Sequence, residues 1–522
     1  MASGQAKTLM IQGTGSHVGK SLLVTAICRI LADEGLRVAP FKAQNMALNS
    51  YVTIDGEEMG RAQALQAMAA RIEPRVEMNP ILLKPQSDTG SQVIVNGRVV
   101  GTMGVKDYQR YKPTAWEAVV AAYQRLAREF EVVVVEGAGS PAEINLAASD
   151  IVNMRVAALV EAPVLLVGDI DRGGVFASLL GTMEWLTETD RARVAGFLIN
   201  KFRGDASLLE PGLAALTART GRPVFGVIPY IPDLLLEEED GVALEAPLGR
   251  VVTGRASAVP LGVVRFPRIS NFTDVDPLRF EEALAVRFVT SVRDLDGVRV
   301  VLLPGSKNTI EDLQWLRRSG LADRIVELYH SGAEVVGICG GFQMLGRWIA
   351  DPHHMEGQEE GMAGLGLLPL QTTLERDKIL AQVELEAVAD WVCAEHQPST
   401  GYVPALGTRG YEIHMGRTVQ SESCRPAFRV LKRNRQWVEE NDGAVSQDGR
   451  VWGTYAHGLF ENDQLRRCLI RRWGGPPCGQ TTAVSFRQRR EQDLARLAGI
   501  VKAHLEYRQI RACVGLLPLR RM

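Results

Sequence analysis

No pair of cysteines in this chain is spaced to hold a metal or to staple a small fold. The seven present, Cys28, Cys339, Cys393, Cys424, Cys468, Cys478 and Cys513, are odd in number and scattered, with no CxxC among them. A disulfide framework is not expected, and a reducing cytoplasm is. Long apolar runs are missing too. Nothing approaches the ~18 residues of a membrane span, and the opening MASGQAKTLMIQG has too short an apolar core for a secretory leader. Nor does one sign of charge dominate: 59 Lys and Arg stand against 61 Asp and Glu, so no global field draws in nucleic acid or anionic lipid. The expectation is a soluble cytoplasmic protein with neither nucleic acid nor membrane as partner. Its oligomeric state stays open, a homodimer included.

At 522 residues the chain exceeds one ordinary domain. In the first half, short apolar runs (TLMIQG, RVAPFKA, EVVVVEG, PVLLVGDI, VAGFLIN, PVFGVIPY) alternate with helical stretches such as GKSLLVTAICRILADEG. Strands apolar on both faces and separated by helices predict an α/β fold with a parallel sheet covered on both sides. An acidic, then Gly/Pro/Ala-rich segment marks a linker over 236–258. The second half restarts the same grammar with LGVVRFP, VRVVLLPG and EVVGICGG, then turns strand-rich around 360–460. The predicted division is 1–235, the linker, 259–475 and a helical tail over 476–522. In that tail Leu494, Leu497, Val501 and Leu505 fall on one helical stripe, which reads as a docking or surface helix.

TLMIQG-TGSHVGKS-LLVTAICRILADEG is strand, glycine-rich loop and helix, with Gly35 as the helix stop. In that context the backbone N–H groups from Gly15 through His17, Val18 and Gly19 can ring the polyphosphate of ATP. Lys20 adds a positive charge, and the Ser21 hydroxyl can hold Mg²⁺. The loop departs from GxxxxGK[ST] at its first position, where Thr14 stands between Gly13 and Gly15. Glu136 ends a buried strand, where a carboxylate calls for a cation and ligands gather. It is a candidate Mg²⁺ contact; Asp55, in an Asp-Gly that also reads as a turn, is a weaker one. Asn200, Lys201 and Asp205 end another strand and suit either a nucleotide base or a capped loop.

VVGICGGFQMLG places Cys339 between an apolar strand and a helical run, with Gly340 and Gly341 behind it. A nucleophile on such a tight turn is exposed, lies near a helix N-terminus that favours thiolate, and has N–H groups at hand for an oxyanion. Gly340 offers one of these, and Gly305, at a second strand end, offers another. His457 in VWGTYAHGLF is the leading base, and His414 in GYEIHMG competes for the role. His353 and His354 sit in an acidic, glycine-rich loop and read as solvated surface.

These segments together resemble the cobyric acid synthase family of glutamine-dependent amidotransferases. The blocks GTGSHVGKS, FKAQNMALNS, EMGRAQALQA, NPILLKP, VVVVEGAG, DIDRGGVFASLLGT, NKFRGD, LPGSKNTI, GICGGFQMLG, GYEIHMG and YAHGLFEN carry the resemblance over residues 8 to 475. The first half is also similar to dethiobiotin synthetase, a P-loop NTPase-like fold. The second is similar to class I glutamine amidotransferases, with their flavodoxin-like α/β fold. The resemblance implies that Cys339 attacks the side-chain amide of glutamine, His457 moves the proton, and the ammonia released meets a carboxylate activated by ATP. It implies Mg²⁺ on Ser21, Asp55 and Glu136. It implies a corrinoid acceptor, adenosylcobyrinic acid a,c-diamide, amidated at b, d, e and g. Lys42, Gln44, Asn45 and Asn49, with Ser50, form a polar stretch after a strand that suits carboxylate recognition or shapes the nucleotide pocket. In class I domains Pro-Glu follows the histidine; here Gly458 and Leu459 follow His457, which implies a Cys-His pair without the usual third acid. Cobyrinic acid a,c-diamide synthase, a P-loop switch ATPase and a regulator with a ligand-binding glutaminase-like domain are the other readings. The last two leave the cysteine, glycines and histidine without a task.

Overall fold

The computed structural model describes residues 6–86, 90–236, 258–357, 359–388, 407–420, 424–475 and 485–516. The expected linker lies, its end residues apart, outside the described residues.

All six apolar runs of the first half become one parallel sheet. Its strands are β1 (Lys7–Gly13), β2 (Val38–Phe41), β3 (Val132–Glu136), β4 (Val164–Asp169), β5 (Val194–Phe202) and β6 (Val224–Pro229), in the order β6-β5-β4-β1-β3-β2. Period-two side-chain alternation explains why the runs are continuously apolar. Leu9, Ile11, Val132 and Val134 feed the core on one face, while Met10, Val133 and Val135 feed the core on the other. Helix α1 (Lys20–Asp33) follows β1 through the glycine-rich loop, and Gly35, at φ 83°, ends it as expected.

The second half repeats the device with β7 (Val259–Val264), β8 (Leu284–Val289), β9 (Val300–Leu303), β10 (Glu334–Ile338) and β11 (Val451–Thr454), parallel in the order β8-β7-β9-β10-β11. The strand-rich region supplies a mixed sheet built on the long antiparallel pair Leu370–Ala387 and Gly407–Gln420. Its last member, Ala456–His457, pairs with Tyr411 and Glu412, and so ties the histidine to this added sheet.

The tail is part of the first half's core. Helix α2 (Phe486–Ala503) lies along α1, burying Leu494, Leu497 and Val501 in the cluster that holds Val24, Ile27 and Leu31. Each such side chain contributes roughly 1.5–3 kcal/mol of transfer free energy. Buried Arg29 forks onto Glu491 at 2.5 and 3.0 Å, and Glu34 accepts from Lys502 at 2.8 Å, Tyr507 at 2.9 Å and Arg511 at 2.5 Å. Leu505 lies beyond the helix, and there forms an isolated β-bridge with Gly226.

Between the two sheets, the hairpin Ser50–Val52/Glu58–Gly60 and its flanks press on the second half. Ser270 Oγ donates to the Leu48 carbonyl at 2.8 Å, and Ser50 N–H donates to Asn271 Oδ1 at 2.9 Å. Arg61 pairs with Glu461 at 2.8 Å. The second half is thus joined to the first by buried and part-buried polar contacts, which require defined geometry.

Candidate active site

Strand β10 delivers Cys339 into a tight turn flanked by glycines. Its backbone sits at φ 52°, ψ −111°, a strained conformation for a residue with a Cβ. Two glycines make the turn possible. A Cβ on Gly341 would lie 2.0 Å from the Leu303 carbonyl oxygen, and one on Gly337 would lie 2.7 Å from Leu345. The following helix, Gly340–Leu345, is only six residues long. The buried thiol donates to the Ile413 carbonyl at 3.6 Å. Gly305, Gly340, His414 and His457 line the same cavity, and a Cβ on Gly305 would stand 3.2 Å from His457 Cε1.

His457 has an acid partner that the sequence alone did not reveal. Asp274 Oδ2 lies 2.6 Å from His457 Nδ1, and Asp274 Oδ1 accepts the Gly458 N–H at 2.8 Å. The expectation of a pair without an acid is therefore corrected: the acid comes from a 3-10 turn, Phe272–Val275, 183 residues before the histidine. Burial opposes charge on the imidazole, but Asp274 and then the Cys339 sulfur outweigh it and push His457 up to about 10. His414 goes the other way. Burial first, then His457, push it down to about 3, and its ring stacks on Tyr455 with centroids 3.7 Å apart. It stands in the cavity as a neutral imidazole.

At the other site, Gly19 at φ 98° caps α1, and Lys20 Nζ folds back to the Gly15 carbonyl at 2.8 Å and the Gly139 carbonyl at 3.2 Å. Ser21 Oγ donates to Glu136 Oε1 at 2.8 Å, bringing together two of the three expected metal contacts. Asn200 Nδ2 donates to the Val18 carbonyl at 2.8 Å, and Lys201 Nζ to the His17 carbonyl at 2.7 Å. Both side chains brace the loop. Lys201 also pairs with Asp169 at 2.8 Å, a buried carboxylate at the end of β4 that sequence reasoning left unassigned.

Two family models divide the chain along these sites. The CobQ/CobB/MinD/ParA nucleotide binding domain matches residues 9–243, and the CobB/CobQ-like glutamine amidotransferase domain matches residues 260–465. Among curated proteins, cobyric acid synthase of Moorella thermoacetica is 50% identical over 98% of both chains. That of Sorangium cellulosum is 49% identical over 98% of this chain and 99% of its own. The chain belongs to the cobyric acid synthase family. It is an amidotransferase of cobalamin biosynthesis, with a nucleotide-binding domain and a glutamine amidotransferase domain in that order.

Within this family frame, the residues expected to hold substrate divide. Lys42 Nζ lies 2.9 Å from Glu136 Oε1, beside Ser21. Gln44 accepts from the Tyr108 hydroxyl, and Asn45 Nδ2 donates to Gln63 Oε1 at 3.0 Å. Asn49 does something else: its Oδ1 accepts the Phe272 N–H at 3.1 Å, fastening the turn that carries Asp274. Asp55 is exposed at the tip of the Ser50–Gly60 hairpin. There Gly56 packs on Asn434 and the Leu380 carbonyl, so the structure does not bring Asp55 to the Ser21–Glu136 pair. Among the described residues no group of three or more His, Cys, Asp and Glu forms a metal cluster, and no helix is long and apolar enough to cross a membrane. His353 and His354 are exposed.

Proposed function

We propose that this enzyme converts adenosylcobyrinic acid a,c-diamide to adenosylcobyric acid by amidating the b, d, e and g carboxyls, with ATP activating each carboxylate and glutamine supplying the nitrogen. Residues 1–235, completed by the tail, form the ligase domain, and 259–475 form the glutaminase. The placing of Cys339 in one cavity with a His457 that is bonded to Asp274 carries the reading.

Asp274 holds the imidazolium, so at neutral pH a proton is ready at His457 and Cys339 stands beside a positive charge. The Cys339 sulfur attacks Cδ of glutamine; the tetrahedral oxyanion meets the N–H groups of Gly305 and Gly340. The C–N bond breaks, His457 gives its proton to the departing ammonia, and a γ-glutamyl thioester remains for water to hydrolyse to glutamate. In the ligase domain the loop from Gly15 through Lys20 holds the polyphosphate, and the γ-phosphoryl passes to a substrate carboxylate, giving ADP and an acyl phosphate. Ammonia displaces phosphate from that carbon to form the amide. The Ser21 hydroxyl and the Glu136 carboxylate are hard oxygen donors suited to Mg²⁺, which would offset charge between phosphate and carboxylate. Lys42, 2.9 Å from the same carboxylate, is the cation we assign to the activated substrate carboxylate.

The test is the mass gain of the corrinoid with ATP and either glutamine or ammonium at alkaline pH. Cys339→Ala should lose the glutamine-dependent gain by at least about 10³-fold and keep the ammonium-dependent one. Hydrolysis of ATP by the wild-type enzyme with no change in the corrinoid would refute the substrate.

A further inference from the structure

Three lysines reach the cavity of Cys339, and two of them are spoken for. Lys84 Nζ lies 2.9 Å from Glu58 Oε1 and 2.9 Å from Ser50 Oγ; Lys378 bonds to Glu58 Oε2 and reaches Gln92 Oε1 at 3.4 Å. Lys307 is different. It is 8% exposed, and among the described residues its only hydrogen bond is from its backbone N–H to the Arg268 carbonyl. Burial and then repulsion from Lys84 push it down to about 8, against attraction from Glu356, Glu58 and Cys339. A buried ammonium is costly unless an anion meets it.

Glu356 faces the same cavity. Its Oε2 accepts the N–H groups of Thr309 at 2.6 Å and Ile310 at 3.3 Å, whereas Oε1 accepts nothing among the described residues. Gln343, which lines the cavity beside them, is fully engaged. Gln343 Nε2 donates to the Met415 carbonyl at 2.9 Å and to Tyr455 at 3.2 Å, and its Oε1 accepts from Thr309 Oγ1 at 3.2 Å. Lys307 Nζ and Glu356 Oε1 therefore remain without a hydrogen-bond partner among the described residues, together with His414 Nδ1, in the cavity that also holds the nucleophile. Burial pushes Glu356 up to about 7, against attraction from Lys307 and the Thr309 and Ile310 N–H groups.

We propose that Lys307 binds the α-carboxylate of the incoming glutamine and that Glu356 Oε1 accepts from its α-ammonium, so that this pair selects the free amino acid. The proposal rests on the reading of Cys339 as the glutaminase nucleophile. In a glutamine whose Cδ sits at the Cys339 sulfur, the α-carboxylate lies four bonds further on. Its charge does not change during the reaction, so the contact binds ground state and transition state alike and belongs to KM. Because Lys84 of the P-loop half lines the same cavity, the cationic wall that receives the carboxylate is built by both domains.

The test is glutaminase kinetics of the full chain with glutamine and with 4-aminobutanamide, which lacks the α-carboxylate. Lys307→Met should raise KM for glutamine by at least about 30-fold with kcat within about threefold. It should leave KM for 4-aminobutanamide nearly unchanged, so that the wild-type preference for glutamine collapses. Lys307→Arg should restore part of it. An unchanged KM for glutamine in Lys307→Met, or an equal rise for both substrates, overturns the proposal. So does a wild-type enzyme that handles the two substrates equally, a result that stands even if the variant misfolds. Full glutaminase activity in Cys339→Ala would instead overturn the underlying reading of the site.

Discussion

Replacing Asp274 with Asn tests the central contact of the site at nearly constant shape. The amide oxygen can still accept the Gly458 N–H, bonded to Asp274 at 2.8 Å in the wild type, but the other position now presents an NH₂ to His457 Nδ1. The ring must then turn its lone pair to Nδ1 and carry its proton on Nε2. Two things are lost together: the tautomer proposed to serve Cys339, and the charge that holds the imidazolium. The second can be sized. Raising the histidine from an ordinary 6.5 to about 10 corresponds to a preference on the order of 5 kcal/mol for the charged ring, and it is won against burial. Without Asp274, burial, the largest influence, would be opposed by the weaker pull of the Cys339 sulfur. A fall in glutaminase kcat of roughly 10²- to 10⁴-fold follows, in the range of the same substitution in serine protease triads. Alkylation of Cys339 by iodoacetamide at about pH 6 should slow in parallel, because its cationic neighbour is gone. Stability carries the same signature. A histidine raised in the folded state adds stability that is fully present below its ordinary value and is lost as pH rises through about 10. The gap in unfolding free energy between wild type and Asp274→Asn should be widest near pH 6 and close toward pH 10. A variant with kcat within threefold of wild type, and the same pH dependence of stability, would refute the assignment of Asp274.

Lys20→Ala, which removes the cation at the phosphate loop, should cut ATP-dependent amidation by at least about 100-fold, while ammonia release from glutamine, assayed alone, stays measurable. Leu497→Ala, in the 1% exposed seam between α2 and α1, should cost about 2–4 kcal/mol in denaturant unfolding even though it lies far along the chain from the P-loop it supports. Glu58→Gln leaves Lys84 and Lys378 facing each other in a buried site and should cost about 3–5 kcal/mol at neutral pH. Burial alone would raise Glu58, but Lys378 and Lys84 hold its carboxyl well below the usual carboxylate range. Its contribution is therefore present above the ordinary value and lost as pH falls through the folded one. The stability gap between wild type and Glu58→Gln should accordingly shrink in strong acid, measured by chemical unfolding across pH.

Local order was written in the sequence wherever one stretch of chain decides it. Six apolar runs with helical spacers are enough for a doubly covered parallel sheet, because side-chain alternation on a buried strand leaves no polar positions. GTGSHVGKS between a strand and a helix is enough for a phosphate loop, and the glycines around Cys339 are enough for a strained elbow, because no larger residue fits so close to the Leu303 carbonyl. Tertiary structure decided what depends on residues far apart in the chain. Asp274 meets His457 across 183 positions, and SNFTDVDP carries no local sign of it. Asn49, which local polarity marks as a substrate contact, is used to fasten the Asp274 turn, since a buried domain junction needs its hydrogen bonds satisfied. Asp55 goes to a turn tip because Asp-Gly serves a hairpin as readily as a metal. The tail's apolar stripe announced burial but not the partner, which is the apolar face of α1, more than 450 residues earlier. Lys307 and Glu356 are an ordinary lysine and glutamate in the sequence, and only the fold leaves their Nζ and Oε1 open beside a nucleophile.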